Sequence, residues 1–418
     1  YGAELAIIRQ VEGRSRLEYP IGKVLAETTG YLSDVRVSPT GDRLAYMSHA
    51  FATDNRGPVV VIDRAGTVLV TSPEYWGEEG LAWSADGSEV LFSALDVDAG
   101  PDYAVHGLAM DGTVRTVLTA PTGLILHDTT ADGRLLVSTH SEHGSLVARL
   151  AGAAAERDIP WLDRSYQAVI SRDGRSLLFG DSSALSGNLY SILYRAADGS
   201  PPVRLGEGIG TDLSPDAASV VAIVMSDPPR LTIYPTGVGE PRDISAAGFV
   251  AYEQSAQFVR AGQGVAYCGN DAGKPSRCYV RDLAGGAARA VTPEGTRQGR
   301  VSPDGGTVVA RGTDDRYRQY LAAGGEPVLV PGLDVRDAVL AWTADGRSLL
   351  VYRPAEIPTR VDRLELATGR RTLLREISPV DRAGAVEIPS ITFSADETAY
   401  AYTINRVVGT LYAVEGVR

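Results

Sequence analysis

A strand, a tight turn and a second strand recur nine times along the 418 residues, and such a phrase builds a radial array of small sheets. Its clearest copy is Leu340–Tyr352, where an apolar run ending at Trp342 meets Thr343-Ala344-Asp345-Gly346 and then a run rich in leucine and valine. Gly346 supplies the positive φ that such a turn requires. The other copies are Val35–Tyr46, Leu81–Phe92, Asp128–Thr139, Val169–Gly180, Thr211–Val224, Gln257–Cys268, Gly299–Gly312 and Ile391–Tyr402. Aligned on Gly346, the turn falls at 41, 87, 133, 174, 217, 262, 305, 346 and 397, in steps of 41 to 51 residues. A period in the forties without helical pattern predicts an all-β fold: one large β-propeller of about nine four-stranded blades, eight to ten being compatible, as one domain over 1–418. Gly87, Gly133, Gly174, Gly305 and Gly346 are expected at positive φ, and Trp83 and Trp342, at equivalent first-strand positions, in the core.

The two ends of the chain look complementary. Glu4–Gln10, Arg16–Tyr19 and Val24–Thr28 read as the second to fourth strands of a blade whose first strand is missing, and Ile391–Val417 as a first, second and third. Residues 1–30 are therefore expected to complete or extend the ring, since closing it removes open sheet edges. An array cut from a longer one and divided between two rings fits the repeat equally well. The start at Tyr1, without methionine, suggests a piece of a longer polypeptide.

A second turn follows each first by some 20 residues, as at Ala65-Gly66, Asp111-Gly112 and Thr368-Gly369. These tips and the first turns share one face of each blade, because successive strands alternate direction. The opposite face receives longer, less regular loops: Ser48–Pro58, Ala94–Ala104, Gly269–Arg277 and Arg353–Thr359 within blades, and Ser72–Gly80, Pro160–Gln167, Ala246–Gln254 and Pro293–Gly299 between them. Irregular loops gathered on one face of a repeat array mark its binding face. Phe51, Arg56, Tyr75, Trp76, Trp161, Tyr252 and Arg297 lie on them and are the candidate partner-binding residues, aromatic and arginine side chains being the usual interface anchors. Trp76 reads equally well as a plug between blades.

The formal charge of −12 gives no basic field for a nucleic-acid backbone. No run of about 20 apolar residues offers a spanning helix, so direct membrane insertion of this segment is not expected.

Two sets of residues carry a family likeness. The Ser302-Pro303-Asp304-Gly305 turn followed by a strand resembles the WD-like propeller repeat of the TolB periplasmic protein and its relatives. Arg16–Glu27, Arg36–Pro39, Pro201–Gly208 and Leu411–Arg418 resemble the C-terminal propeller of bacterial serine/threonine kinases of the eukaryotic type. That resemblance implies a bacterial, extracytoplasmic sensor or binding domain, with a protein, peptide or cell-envelope ligand. No glycine-rich phosphate loop, His-Arg-Asp or Asp-Phe-Gly is present, so kinase activity is not implied for these residues.

No catalytic, cofactor-binding or metal-binding residue is assigned. His49, His106, His127, His140 and His143 all lie in the first third of the chain, and a metal-dependent lyase would need three or four ligands to converge there. A serine hydrolase gated by the propeller would need a Gly-x-Ser-x-Gly elbow, which is absent. Asp96, Asp98 and Asp102 lack the spacing of a calcium loop. Finally, Cys268 and Cys278 end one strand and start the next, so a hairpin pairing them directly makes a disulfide available. The location outside the membrane that the kinase likeness implies would oxidise it.

Overall fold

The computed structural model describes residues 5–11, 13–50, 55–95, 103–120, 123–159, 164–182, 190–196 and 198–416. Among these the structure is almost entirely antiparallel strand, with a 3-10 turn at Arg260–Gly262. No helix is long and apolar enough to cross a membrane.

All nine turn positions, glycine or not, take positive φ, from +55° at Ala217 to +88° at Gly262. Side chains of the phrase itself build the turn. In eight copies a Ser or Thr precedes it, and its carbonyl accepts from the backbone N–H of the positive-φ residue, as Thr343 does from Gly346 at 2.9 Å. The same hydroxyl donates to an aspartate, 2.7 Å from Thr343 to Asp345 and 2.6 Å from Ser171 to Asp173. It also accepts the first amide of the returning strand, 2.8 Å from Ser176 to Ser171. Hydrogen bonds hold these carboxyls below the usual carboxylate range, to about 2 for Asp86, chiefly through the Ser88 amide.

The chain groups into two compact units, residues 1–141 with 407–418 and residues 142–406. The first unit holds a three-stranded sheet of Ile7–Val11, Arg14–Glu18 and Val24–Thr28, and four-stranded sheets spanning Tyr31–Thr71 and Trp76–Leu118. In its last sheet Gly123–Thr129 pairs with the first part of the long Leu135–Arg149 strand, which pairs in turn with Leu411–Val414. The N-terminal strands therefore form a sheet of their own rather than completing the C-terminal blade.

The second unit contains six sheets, innermost strands first. Four of them begin at Ser165–Ile170, Ile209–Leu213, Arg297–Val301 and Ala338–Trp342. The fifth has Phe249–Tyr252 and Gln257–Val259 along one edge of Gly264–Asp271. The sixth joins Ala385–Phe393 and Tyr400–Val408 to the second part of Leu135–Arg149 and to Arg157–Asp158. Each innermost strand lies against the next, and Ala385–Phe393 returns to Ser165–Ile170, so the six blades close. Hydrogen bonds stitch the closure: Ala168 N–H donates to Ser390 Oγ at 3.1 Å, between residues 222 apart. The repeat specifies a blade; pairings of such length specify the ring, and no local phrase encodes them.

Between blades, the strand interiors pack on one another, as where Val259, Ala266, Cys268, Cys278 and Val280 meet Val301, Val308 and Ala310 of the next sheet. Trp342 Nε1 donates to Arg300 O at 2.9 Å, so its indole is satisfied while its ring fills the gap.

Candidate functional site

The residue two before the turn hydroxyl occupies one level on every innermost strand. In the closed unit this level reads Val169, Asp212, Gln257, Arg300, Ala341 and Thr392, and all six keep accessible surface. The C-terminal neighbours Ile170, Leu213 and Val301 are buried. Alternate residues of a strand face opposite ways, so this level faces the space between the inner strands. One carboxylate and one guanidinium stand among four side chains without charge.

Each inner strand is interrupted just before this level. Register shifts fall between Tyr166 and Val169, Gly210 and Asp212, Arg297 and Arg300, Val339 and Ala341, and Glu387 and Ser390. Gln167 and Gln298 sit in these bulges at φ +48° and +54°. Left-handed backbone at a residue with a side chain is strained and gathers at functional positions. Gln298 is exposed, and its N–H donates to Glu253 Oε2 at 2.6 Å; Ser276 Oγ donates to Glu253 Oε1 at 2.7 Å.

Arg300 and Asp212 are enclosed by protein yet still reachable by solvent, as side chains facing an internal passage are. Asp212 accepts from Phe258 N–H at 2.8 Å and from Leu213 N–H at 2.9 Å. Burial nevertheless pushes its carboxyl up to about 7, against those bonds and the opposing pull of Arg300 and Arg172. Burial also raises the Glu253 carboxyl and lowers the Arg300 guanidinium. Arg300 uses Nε to donate to Leu340 O at 3.1 Å; among the described residues it forms no ion pair, and its terminal nitrogens have no hydrogen-bond partner.

Beneath this bulge lies the disulfide. Cys268 and Cys278 face each other across Gly264–Asp271 and Arg277–Asp282, and their sulfurs are bonded at 2.06 Å. A Cβ at Gly299 would fall 2.5 Å from Cys278 Sγ and 2.7 Å from Cys268 Sγ. Glycine is what lets the strand carrying Gln298 and Arg300 rest on the bridge. The bond therefore backs the inner strand of the next blade as well as bracing its own loop.

The seven residues singled out by sequence divide. Phe51 and Trp161 lie outside the described residues. Arg56 and Tyr75 are buried, Arg56 over the Trp76 ring at 4.3 Å and Tyr75 against Phe92 and His106. Tyr252 is buried against Phe249 and Tyr267, with its hydroxyl accepting from Ala246 N–H at 2.9 Å. All three therefore pack the loops on which they stand. Arg297, paired with Asp315, stays partly exposed at the bulge. The reading missed Asp212, Glu253, Gln298 and Arg300. The available signal was the shared Arg-Val-Ser-Pro at Arg36–Pro39 and Arg300–Pro303, which places arginine at a level that other copies fill with alanine, valine, aspartate, glutamine or threonine.

The histidines do not converge where they are described. His49 stacks on Tyr31 and bonds Ser33 Oγ at 3.0 Å, His106 sits by Tyr75 and Phe92, and His127 bonds Ser138 Oγ at 2.8 Å. No three His, Cys, Asp or Glu residues among the described ones are grouped as metal ligands.

No family model and no curated protein matches the sequence. Among solved structures, the chain is similar to TolB from Acinetobacter baumannii at 14% identity, over 77% of this chain and 80% of that one, with a TM-score of 0.32. It is similar to an oligogalacturonate lyase from Vibrio parahaemolyticus at 12% identity, over 90% and 98%, with a TM-score of 0.39. An oligogalacturonate lyase in complex with manganese is 16% identical over 67% and 77%, with a TM-score of 0.41. The propeller class itself rests on the strand pairing described above.

Proposed function

We propose that the chain is a non-catalytic propeller that binds and senses a protein, peptide or cell-envelope ligand, as the extracytoplasmic part of a bacterial kinase-like receptor. The observation that carries this reading is the accessible level between the inner strands of the 142–406 unit, where Arg300 is held with free donors beside strained, exposed Gln298. Such an arrangement orients a ligand without supplying a nucleophile next to a base, which is the usual mark of covalent catalysis. The Cys268–Cys278 bridge supports the location, since such bonds persist in oxidising compartments. The sequence likeness to kinase-linked propellers supports the receptor context.

The test is retention of a ligand from the envelope fraction by the full chain and by Gln298→Trp. The backbone at 298 already carries a side chain, so an unbranched replacement adds bulk at the site with little new strain. Retention by the wild type that Gln298→Trp abolishes, with melting unchanged, supports the reading; equal retention by both removes the site from it.

A further inference from the structure

We propose that Arg300 anchors the free C-terminal carboxylate of a peptide entering between the inner strands of the 142–406 unit. This deepens the binding reading above and depends on it. A guanidinium offers a planar fork of donors matched to a carboxylate, and Arg300 spends only Nε on the protein. Trp342 and Leu340 hold the backbone and Nε of the Arg300 region in place, so the unused edge is fixed rather than free to fold back.

The surroundings select the anion. Asp212 and Glu253 both lie close enough to act electrostatically on Arg300, and a phosphate dianion would meet two carboxyls beside one cation. A single negative charge is tolerated better. Of the other side chains at this level, Val169 and Ala341 are apolar, Gln257 spends its amide on the backbone of Val301, and Thr392 has one hydroxyl, which accepts from Ile170 N–H. That lining suits the terminal side chain of a peptide, whereas a sugar acid would call for more hydrogen-bonding groups. Exposed Gln298, two residues before Arg300, offers a primary amide to the last peptide unit.

Calorimetry on the full chain decides it, with four probes: acetyl-Ala-Ala-Phe as the free acid, the same peptide as its C-terminal amide, glucuronate and inorganic phosphate. The free acid is expected to bind about tenfold or more tightly than the amide, as a charge-assisted hydrogen bond implies. Arg300→Gln should erase that difference and Arg300→Lys restore part of it. Equal binding of acid and amide, tighter binding of glucuronate or phosphate, or no binding of any probe by natively folded protein would overturn the assignment. Should Arg300→Gln fail to fold, the acid and amide on wild-type protein still decide. Loss of an envelope ligand in Gln298→Trp, without acid preference, leaves the binding reading standing and removes this one.

Discussion

The strands Tyr31–Val37 and Arg297–Val301 belong to different units and are nearly the same object. Each has a bulge with a left-handed residue, Asp34 at φ +52° and Gln298 at +54°, followed two residues later by an arginine. In each, a tryptophan of the next blade donates to that arginine's carbonyl, Trp83 to Arg36 at 3.2 Å and Trp342 to Arg300 at 2.9 Å. The arginines diverge beyond the backbone. Arg36 Nη1 turns back to the carbonyl of Val35, whereas Arg300 keeps its terminal nitrogens unspent beside two carboxyls. At the intervening residue one strand has Val35 and the other Gly299, seated on the disulfide. The repeat supplies an arginine at this level twice, and its surroundings make one of them a recognition group.

The sharpest way to break the comparison is to make the second strand resemble the first. Gly299→Val puts a branched side chain onto the Cys268 and Cys278 sulfurs and should cost roughly 3 kcal/mol in urea unfolding, at the upper end of overpacking. Val35→Gly should cost about 1 kcal/mol, mainly through backbone entropy. A smaller effect separates the turns: Gly346→Ala should lose about 1 kcal/mol, and Ala217→Gly gain up to about that much, because both positions have positive φ.

Titration separates the aspartates. Asp212, raised to about 7, binds a proton more readily folded than unfolded, so its contribution to stability is full below about pH 4 and fades as pH rises through 7. Asp42 and Asp86, lowered to about 2, act oppositely, their contributions being lost as pH falls toward 2. Unfolding free energy measured from pH 4.5 to 7.5 should fall less steeply in Asp212→Asn than in the wild type. Smallest of all, Arg36→Gln should shift stability by no more than about 0.5 kcal/mol and leave peptide binding unchanged, in contrast to Arg300→Gln.

The blade was legible in the sequence because its information is local: hydroxyl, aspartate and positive-φ residue lie within a few positions of one another, and even Ala217 and Glu397 hold the turn where glycine is missing. The strands at the N-terminal end were placed to within about three residues, since alternating apolar runs and turn signals are local too, whereas Ala385–Phe393 begins six residues before the Ile391 at which it was read. Division into two units was not legible, because Ala168 finds Ser390 and Leu136 finds Ala413 through contacts that no window of the sequence contains. The site was half legible. Cys268 and Cys278 announced their pairing by spacing, but nothing in that spacing shows Gly299 resting on them. Tyr75 and Tyr252 looked like exposed anchors because loop position and aromatic character do not reveal that a loop folds over its own rings.

The pairing of Leu411–Val414 with Leu135–Ser138, and of Ala385–Phe393 with the blade beginning at Ser165, has a kinetic consequence. Residues 385–416 supply strands to both units, so neither can finish until this stretch has been made. Closing such distant contacts carries the largest chain-entropy cost in the molecule, and both units meet it through the same stretch. Most blades can form as they emerge, and the final step of folding is then common to the two. A truncation after residue 384 would leave both unfinished at once, however well their separate blades are built.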